Sequence, residues 1–509
     1  MTHLRRDYWV FRIRQVALWF ASLLVVLLMT GILGHGHLRA TSFFDQADTT
    51  VWYCAGRAVD RHADPYLVEP LRSCEIAYRG TDSPIRTYPW VEPAPLPGYA
   101  LAGFGMLSRL PFPLFRVLWF YLLIISVIIS ASLLAKFSRV PFLVALLCLA
   151  MADAYFNLLY GELPPLVIGA LIASAAFGLA QRYTVAAIVA SISMIEPHLG
   201  LPACLAMFLW WPKTRIPFVV IGSGLLALSV STIGIAANIE YFHAVLPAQA
   251  ASEIAAQDQY SLTRILYVLG VPDKTALSLG SFSYVAMVAF GVLIARRVAT
   301  ALESESLIIL LPPAIALLGG PYVHDLQMAA SIPAALIIAT SLRAPWLLRS
   351  VVLIALVFPF HAWSLHDVGQ VTLLQIGTLI AALVVVTQGQ SVSMRRLVMC
   401  VGVVASLAIA TGIERVPHHK IGPPTLIRPA LTAANDLSSA DWASFVERDS
   451  SYSTPDSHDI AEKVPIWLGL IGMACLSLVL ARSSATNNRL LVPFRSHPII
   501  SPTQTAQTD

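Results

Sequence analysis

The sequence predicts an all-α, polytopic integral membrane protein, and three observations carry that prediction: a strongly apolar composition, a series of helix-length apolar runs, and basic residues gathered at alternate ends of those runs. Of 509 residues, 57% are hydrophobic and 12% charged, with a mean hydropathy of +0.71. Soluble domains carry about 25% charged residues, so this composition excludes an ordinary soluble fold. The net charge of +4 is too small to suggest a nucleic-acid partner, and its uneven placement is explained by membrane topology.

The first apolar run, 16–33, follows Arg5, Arg6, Arg12 and Arg14, which gives it the flank of a signal peptide. It is long enough to span, and His35, Gly36 and His37 make a poor small-residue cleavage site, so it is expected to stay as an anchor. A long polar loop follows, 34–95, carrying Asp45 and Asp48. Further spans are expected near 114–134, 140–158, 163–180, 216–237, 280–295, 305–319, 326–341, 346–363, 371–388, 395–413 and 466–482. Two stretches are irregular. Residues 96–110 are broken at Pro97 and closed by Arg109, which fits a short span or a half-membrane helix. Residues 183–211 are too short for two full spans and are interrupted at Glu196-Pro197, where proline removes a backbone donor. Broken helices at membrane depth are tolerated only against protein or a wet cavity, so this break is expected to line one. The count comes to about 12–14 transmembrane helices.

Orientation follows from Lys136 and Arg139, Arg182, Lys213 and Arg215, Arg296 and Arg297, Arg343 and Arg349, Arg395 and Arg396, and Arg482, which with the N-terminal arginines mark the cytoplasmic side. The opposite face collects the 34–95 loop, residues 160–162, Glu196, and the segments 238–275, 321–325, 361–367 and 414–465. Cysteines divide the same way. Cys148, Cys204, Cys400 and Cys475 sit in apolar runs, where a thiol behaves as a small hydrophobe. Cys54 and Cys74 share the first outward loop, in what would be an oxidising compartment, and are either a disulfide or two free thiols.

Several short motifs fall on the outward face, in order. Asp48-Thr49-Thr50-Val51-Trp52-Tyr53 leads to Arg57, then Asp64-Pro65-Tyr66 and Tyr88-Pro89-Trp90. Later come Gly161-Glu162-Leu163-Pro164, Glu196-Pro197-His198, Gln257-Asp258-Gln259-Tyr260-Ser261-Leu262, and Gly320-Pro321-Tyr322-Val323-His324-Asp325. This ordered set resembles the family 87 glycosyltransferases of the GT-C superfamily, polytopic enzymes that take polyprenyl-phosphate sugars as donors. The resemblance spans roughly residues 40–340. It implies a GT-C-like catalytic module over 1–345 that includes the 34–95 loop. Beyond it lie C-terminal transmembrane helices over 346–482 with an outward loop at 414–465, and a disordered cytoplasmic tail over 483–509.

By that resemblance the protein is a mannosyltransferase-like enzyme at the outer face of a prokaryotic inner membrane, transferring a sugar from the lipid donor to a lipid-linked or envelope glycan. An inverting transfer needs a base to deprotonate the acceptor hydroxyl as it attacks the anomeric carbon. Motif register gives that role to Asp48, with Asp45 one turn earlier as the alternative. A structural role, capping a loop helix ahead of Val51, is open to either aspartate. The leaving phosphate needs cations or backbone donors in a dry site. Arg264 and His324 are the favoured ligands, with Asp325, Glu196, His198, Tyr53, Arg57 and Gln259 beside them. Three departures stand out: Glu196 where lysine is usual, Glu162 for glutamine and Trp90 for proline.

No outward His or Asp recurs at compact ligand spacing, and His418-His419 adjoins a polar segment, so neither a metal nor a cofactor is expected. The chain also lacks a G-x-x-x-x-G-K-S/T loop, a dinucleotide fingerprint and a G-x-S-x-G elbow. The expected partners are the polyprenyl-phosphate donor, the glycan acceptor and membrane lipids. The rival function class is a lipid or glycolipid transporter or flippase without transfer chemistry, which the broken helices would suit. A glycan polymerase or ligase, whose large loop comes late in the chain, fits the early loop poorly.

Overall fold

The computed structural model describes residues 47–78, 94–153, 157–255, 259–357 and 457–485, with scattered positions between 391 and 416. Among them the regular structure is helical, joined by turns and irregular links, with one isolated antiparallel bridge between Gln259 and His324. The spans expected at 16–33 and 371–388, most of that at 395–413, and the 486–509 portion of the tail lie outside the described residues. So do Asp45, the Tyr88-Pro89-Trp90 motif and nearly all of the 414–465 loop.

Among the described residues of the 34–95 loop are two helices. Helix α1 (Ala47–Asp60) has Asp48 in its first turn and Arg57 in its last, each at the end of the helix dipole that favours its charge. Helix α2 (Val68–Tyr78) is tied to it by the Cys54–Cys74 disulfide. Helix α3 (Gly98–Leu107) lies across α1 at Gly56, where any Cβ would strike the Phe104 carbonyl.

Helix α4 (Phe112–Ser138) is apolar on every side, and only one side of it is buried in the protein. It is followed by α5 (Phe142–Asp153), a π turn (Asn157–Gly161), α6 (Pro164–Leu179) and α7 (Tyr183–Ile192). The expected 140–158 span is occupied by α5, and the π turn overlaps only its last two residues. Helix α8 (Pro197–Trp210) runs on from the break at Glu196, and α9 (Arg215–Glu240) is kinked at Gly234 before leading into α10 (Leu246–Ser252). Then come α11 (Leu262–Val268), α12 (Asp273–Ala301), α13 (Leu307–Ala316), α14 (Ile332–Ser341), α15 (Trp346–Val357) and α16 (Ser457–Ala485).

Helix α13 is buried along its whole length, which its unbroken apolar sequence requires. It packs against α6, α8, α12, α14 and α16. Among the described residues, four helical stretches are long and apolar enough to cross a membrane: Phe112–Ser138, Pro212–Ala251, Asp273–Ala301 and Lys463–Ser483. Shorter apolar helices, α13 and α14 included, occupy other places where the sequence suggested full spans. Ile216, Val219, Val220 and Leu226 of α9 are exposed, as on a lipid-facing helix.

Candidate active site

Residues that the charge pattern puts on one membrane face meet around a cavity of about 390 Å³. Helix α1 contributes Asp48, Val51 and Trp52, spaced three and four residues apart and therefore on one helical face. The Trp52 indole donates to the Gly161 carbonyl at 3.2 Å, and Trp119 donates to the same oxygen at 2.8 Å. Gly161 adopts φ +83°, which a side chain would resist, and the turn it makes brings Glu162 and Pro164 to the wall.

Glu196 enters from the break between α7 and α8, outside the four long spans. It occupies the N-cap of α8, a position from which short polar side chains usually bond the first helical amides. Its side chain makes no such cap. Only 7% of the residue is exposed; it lines the cavity, and its buried Oε2 has no hydrogen-bond partner. Burial raises its pKa well above the usual carboxylate range, Glu162 adds to the rise, and His324 opposes it. His198, two residues on, is fixed through its carbonyl, which accepts the Tyr284 hydroxyl at 2.9 Å, while its Nε2 also finds no partner.

Across the cavity, His324 Nε2 lies 2.9 Å from Glu253 Oε2, and its ring stacks on Tyr322 with centroids 4.6 Å apart. The segment carrying them is held from behind. Gln259 accepts the Val323 amide at 3.1 Å, Tyr260 donates its amide to the Val323 carbonyl at 2.7 Å, and the His324 amide bonds Gln327 at 3.0 Å. Asp325 accepts the Leu326 amide at 2.7 Å, a local bond at the start of the turn.

Of the residues singled out by sequence, Asp48, Glu196, His198 and His324 therefore meet at the cavity. Gln259 and Asp325 stand behind its wall as supports. Arg264, expected on the donor phosphate, is fully buried off the cavity, its Nη1 3.5 Å from the Ile254 carbonyl. Tyr53 bonds the Leu110 carbonyl at 3.0 Å within the core, and Arg57 lies against Tyr78 in a separate cleft. Glu253, Tyr241, Tyr284 and Gln249, which no sequence motif marks, also line the wall. Glu253 and Gln249 are brought there by the π turn Tyr241–Val245 and by α10, neither of which carries a motif. Glu162 had a signal, as an acid in place of glutamine, but its proximity to Glu196 had none. Among the described residues no group of three or more His, Cys, Asp or Glu is arranged to hold a metal ion.

Carboxylates accept hydroxyl protons, and the flat apolar bodies of Trp52, Tyr241, Tyr284 and Tyr322 suit the C–H faces of a sugar ring. No protein-family model matches the chain, and no curated protein is significantly similar to it.

Proposed function

We propose that the protein is a membrane glycosyltransferase that moves a sugar, as the resemblance suggests mannose, from a polyprenyl-phosphate donor to a lipid-linked or envelope glycan. The observation that carries this reading is Asp48, set on the wall of an aromatic-lined cavity beside Trp52 and sharing that cavity with Glu162, Glu196 and His324. Segments far apart in sequence supply these groups.

In the proposed reaction Asp48 takes the proton of the acceptor hydroxyl, the oxygen attacks the anomeric carbon from the face opposite the phosphate, and the bond to phosphate oxygen breaks. The polyprenyl phosphate leaves with both electrons, and the configuration inverts. The His324–Glu253 pair, backed by Tyr322, forms the part of the wall against which the sugar or the departing phosphate would lie. The active face is the outer face of a prokaryotic inner membrane, as the charge pattern suggests.

A transporter of the same lipid-linked sugar is the second reading, and the break at Glu196, a buried acid between two short helices, favours it. One assay separates the two. The purified protein is reconstituted with labelled polyprenyl-phosphate-mannose and a lipid extract from its source. Label appearing on a new lipid supports transfer. Unmodified donor crossing the bilayer without any new labelled lipid supports transport and defeats the enzyme reading.

A further inference from the structure

The charged groups of the cavity point to what it holds. Among the described residues that line it, Asp48, Glu162, Glu196 and Glu253 are acids, His198 and His324 are imidazoles, and none is lysine or arginine. Glu253 is bonded to His324. Glu196 is the informative member, because it lines the cavity, is more than nine-tenths buried, and its buried Oε2 has no hydrogen-bond partner. The neighbours that act on it are an acid, Glu162, and an imidazole already bonded to Glu253.

A buried carboxyl group left without a donor is unfavourable, and an ionised one without a counter-charge is more so. A ligand hydroxyl would provide the donor. An ammonium would provide the donor and the counter-charge together. The aromatic walls add a second, independent attraction, since a cation over a tyrosine or tryptophan face is drawn to the negative π surface. Four such side chains, Trp52, Tyr241, Tyr284 and Tyr322, line the same space.

We propose that the ligand of this cavity carries a protonated amine, and that the transferred group is an amino sugar whose ammonium bonds Glu196 among the aromatic faces. The word sugar rests on the glycosyltransferase reading. The amine rests on Glu196 and its surroundings alone.

The test is calorimetric titration of the full-length protein in lipid nanodiscs at pH 7 with four probes: the methyl glycosides of glucosamine, galactosamine, N-acetylglucosamine and glucose. At least one free amine should bind tenfold or more tighter than both neutral glycosides. Glu196→Gln should bring that amine down to the level of the neutral probes, with the variant's fold checked by its gel-filtration profile and unfolding midpoint. Glu196→Asp, which keeps the carboxyl group on a shorter arm, should retain part of the preference. Equal binding of amine and neutral glycosides, binding of none, or a preference that survives in Glu196→Gln overturns the inference. Failure of the enzyme reading shows elsewhere, as absence of label transfer. Transfer of mannose without an amine preference would sink this inference and leave the transferase standing.

Discussion

The two faces of helix α1 serve opposite chemistries. Asp48, Val51 and Trp52 look into the acidic cavity. Cys54, Arg57, Ala58 and Arg61 line a smaller cleft of about 200 Å³ together with Cys74 and Tyr78, and this cleft is basic and closed by the disulfide. Helical geometry explains the division. Asp48 and Arg57 are nine residues apart, about 2.5 turns, which sets them on opposite sides and about 14 Å apart along the axis. Residues 54, 57, 58 and 61 repeat at the three- and four-residue spacing that defines one stripe. A segment that reads as one motif is therefore two surfaces, one suited to a reaction and the other to holding α2 in place.

The sharpest way to break this comparison is to remove the proposed base. Asp48→Asn keeps the shape and loses the proton acceptor, so sugar transfer should fall by about 10² to 10⁴ with the protein still folded. Asp45→Asn should be much milder. Near-normal transfer by Asp48→Asn with a dead Asp45→Asn would move the base one turn back, and activity in both would end the assigned mechanism.

What the sequence disclosed follows from what a sequence encodes. Helices such as α4, α9, α12 and α16 were legible because a continuous apolar run dictates its own burial or lipid contact. Asp48, Glu196, His198 and His324 were legible because each stands in a short polar motif at the end of such a run. Arg264, expected on the donor phosphate from its charge and its place after the 257–262 segment, does not line the cavity. Its helix is started by Ser261, whose hydroxyl accepts the Arg264 amide, and it turns that side chain inward, where it is fully buried. Glu253 was invisible for the converse reason. It follows an alanine-rich stretch with no motif, and only the three-dimensional approach to His324 gives it a role.

The basic face can be tested by cutting its staple. Cys54→Ser or Cys74→Ser opens a link between residues 20 positions apart in sequence. Removing it should lower stability by about 2–4 kcal/mol, measured as the midpoint of thermal or denaturant unfolding in detergent. If the division of α1 is right, amine or sugar binding in the other cavity should survive at temperatures where the variant stays folded. Loss of both together would mean that the two faces are one cooperative unit.

Glu196 offers a test through pH. Its carboxyl holds a proton in the folded protein over a window where the unfolded chain has lost one, from the usual carboxylate range up to its raised value. The native state then binds more protons, so stability contributed by this group falls as pH rises through that window. Glu196→Gln removes the dependence. It should therefore be more stable than wild type at pH 8, with the difference shrinking towards pH 4, in unfolding midpoints taken across that range on ligand-free protein. A difference that is flat with pH would show that Glu196 ionises in the fold as it does in water.

The smallest expected effect does the most to define the comparison. Arg57 bonds the Tyr78 hydroxyl, and its guanidinium lies 5.8 Å from the ring centroids of both Tyr53 and Tyr78. Those contacts are partly open to solvent, so Arg57→Gln should cost roughly 1 kcal/mol of stability. If the arginine serves only to pack α2 against α1, turnover should change by less than about threefold, because an anion in the cavity is out of its reach on the other side of the helix. Steady-state rates at saturating and limiting donor decide the matter. A fall in the range expected for Asp48→Asn, above all one confined to limiting donor, would place the donor phosphate in the basic cleft and make the two faces of α1 halves of a single site.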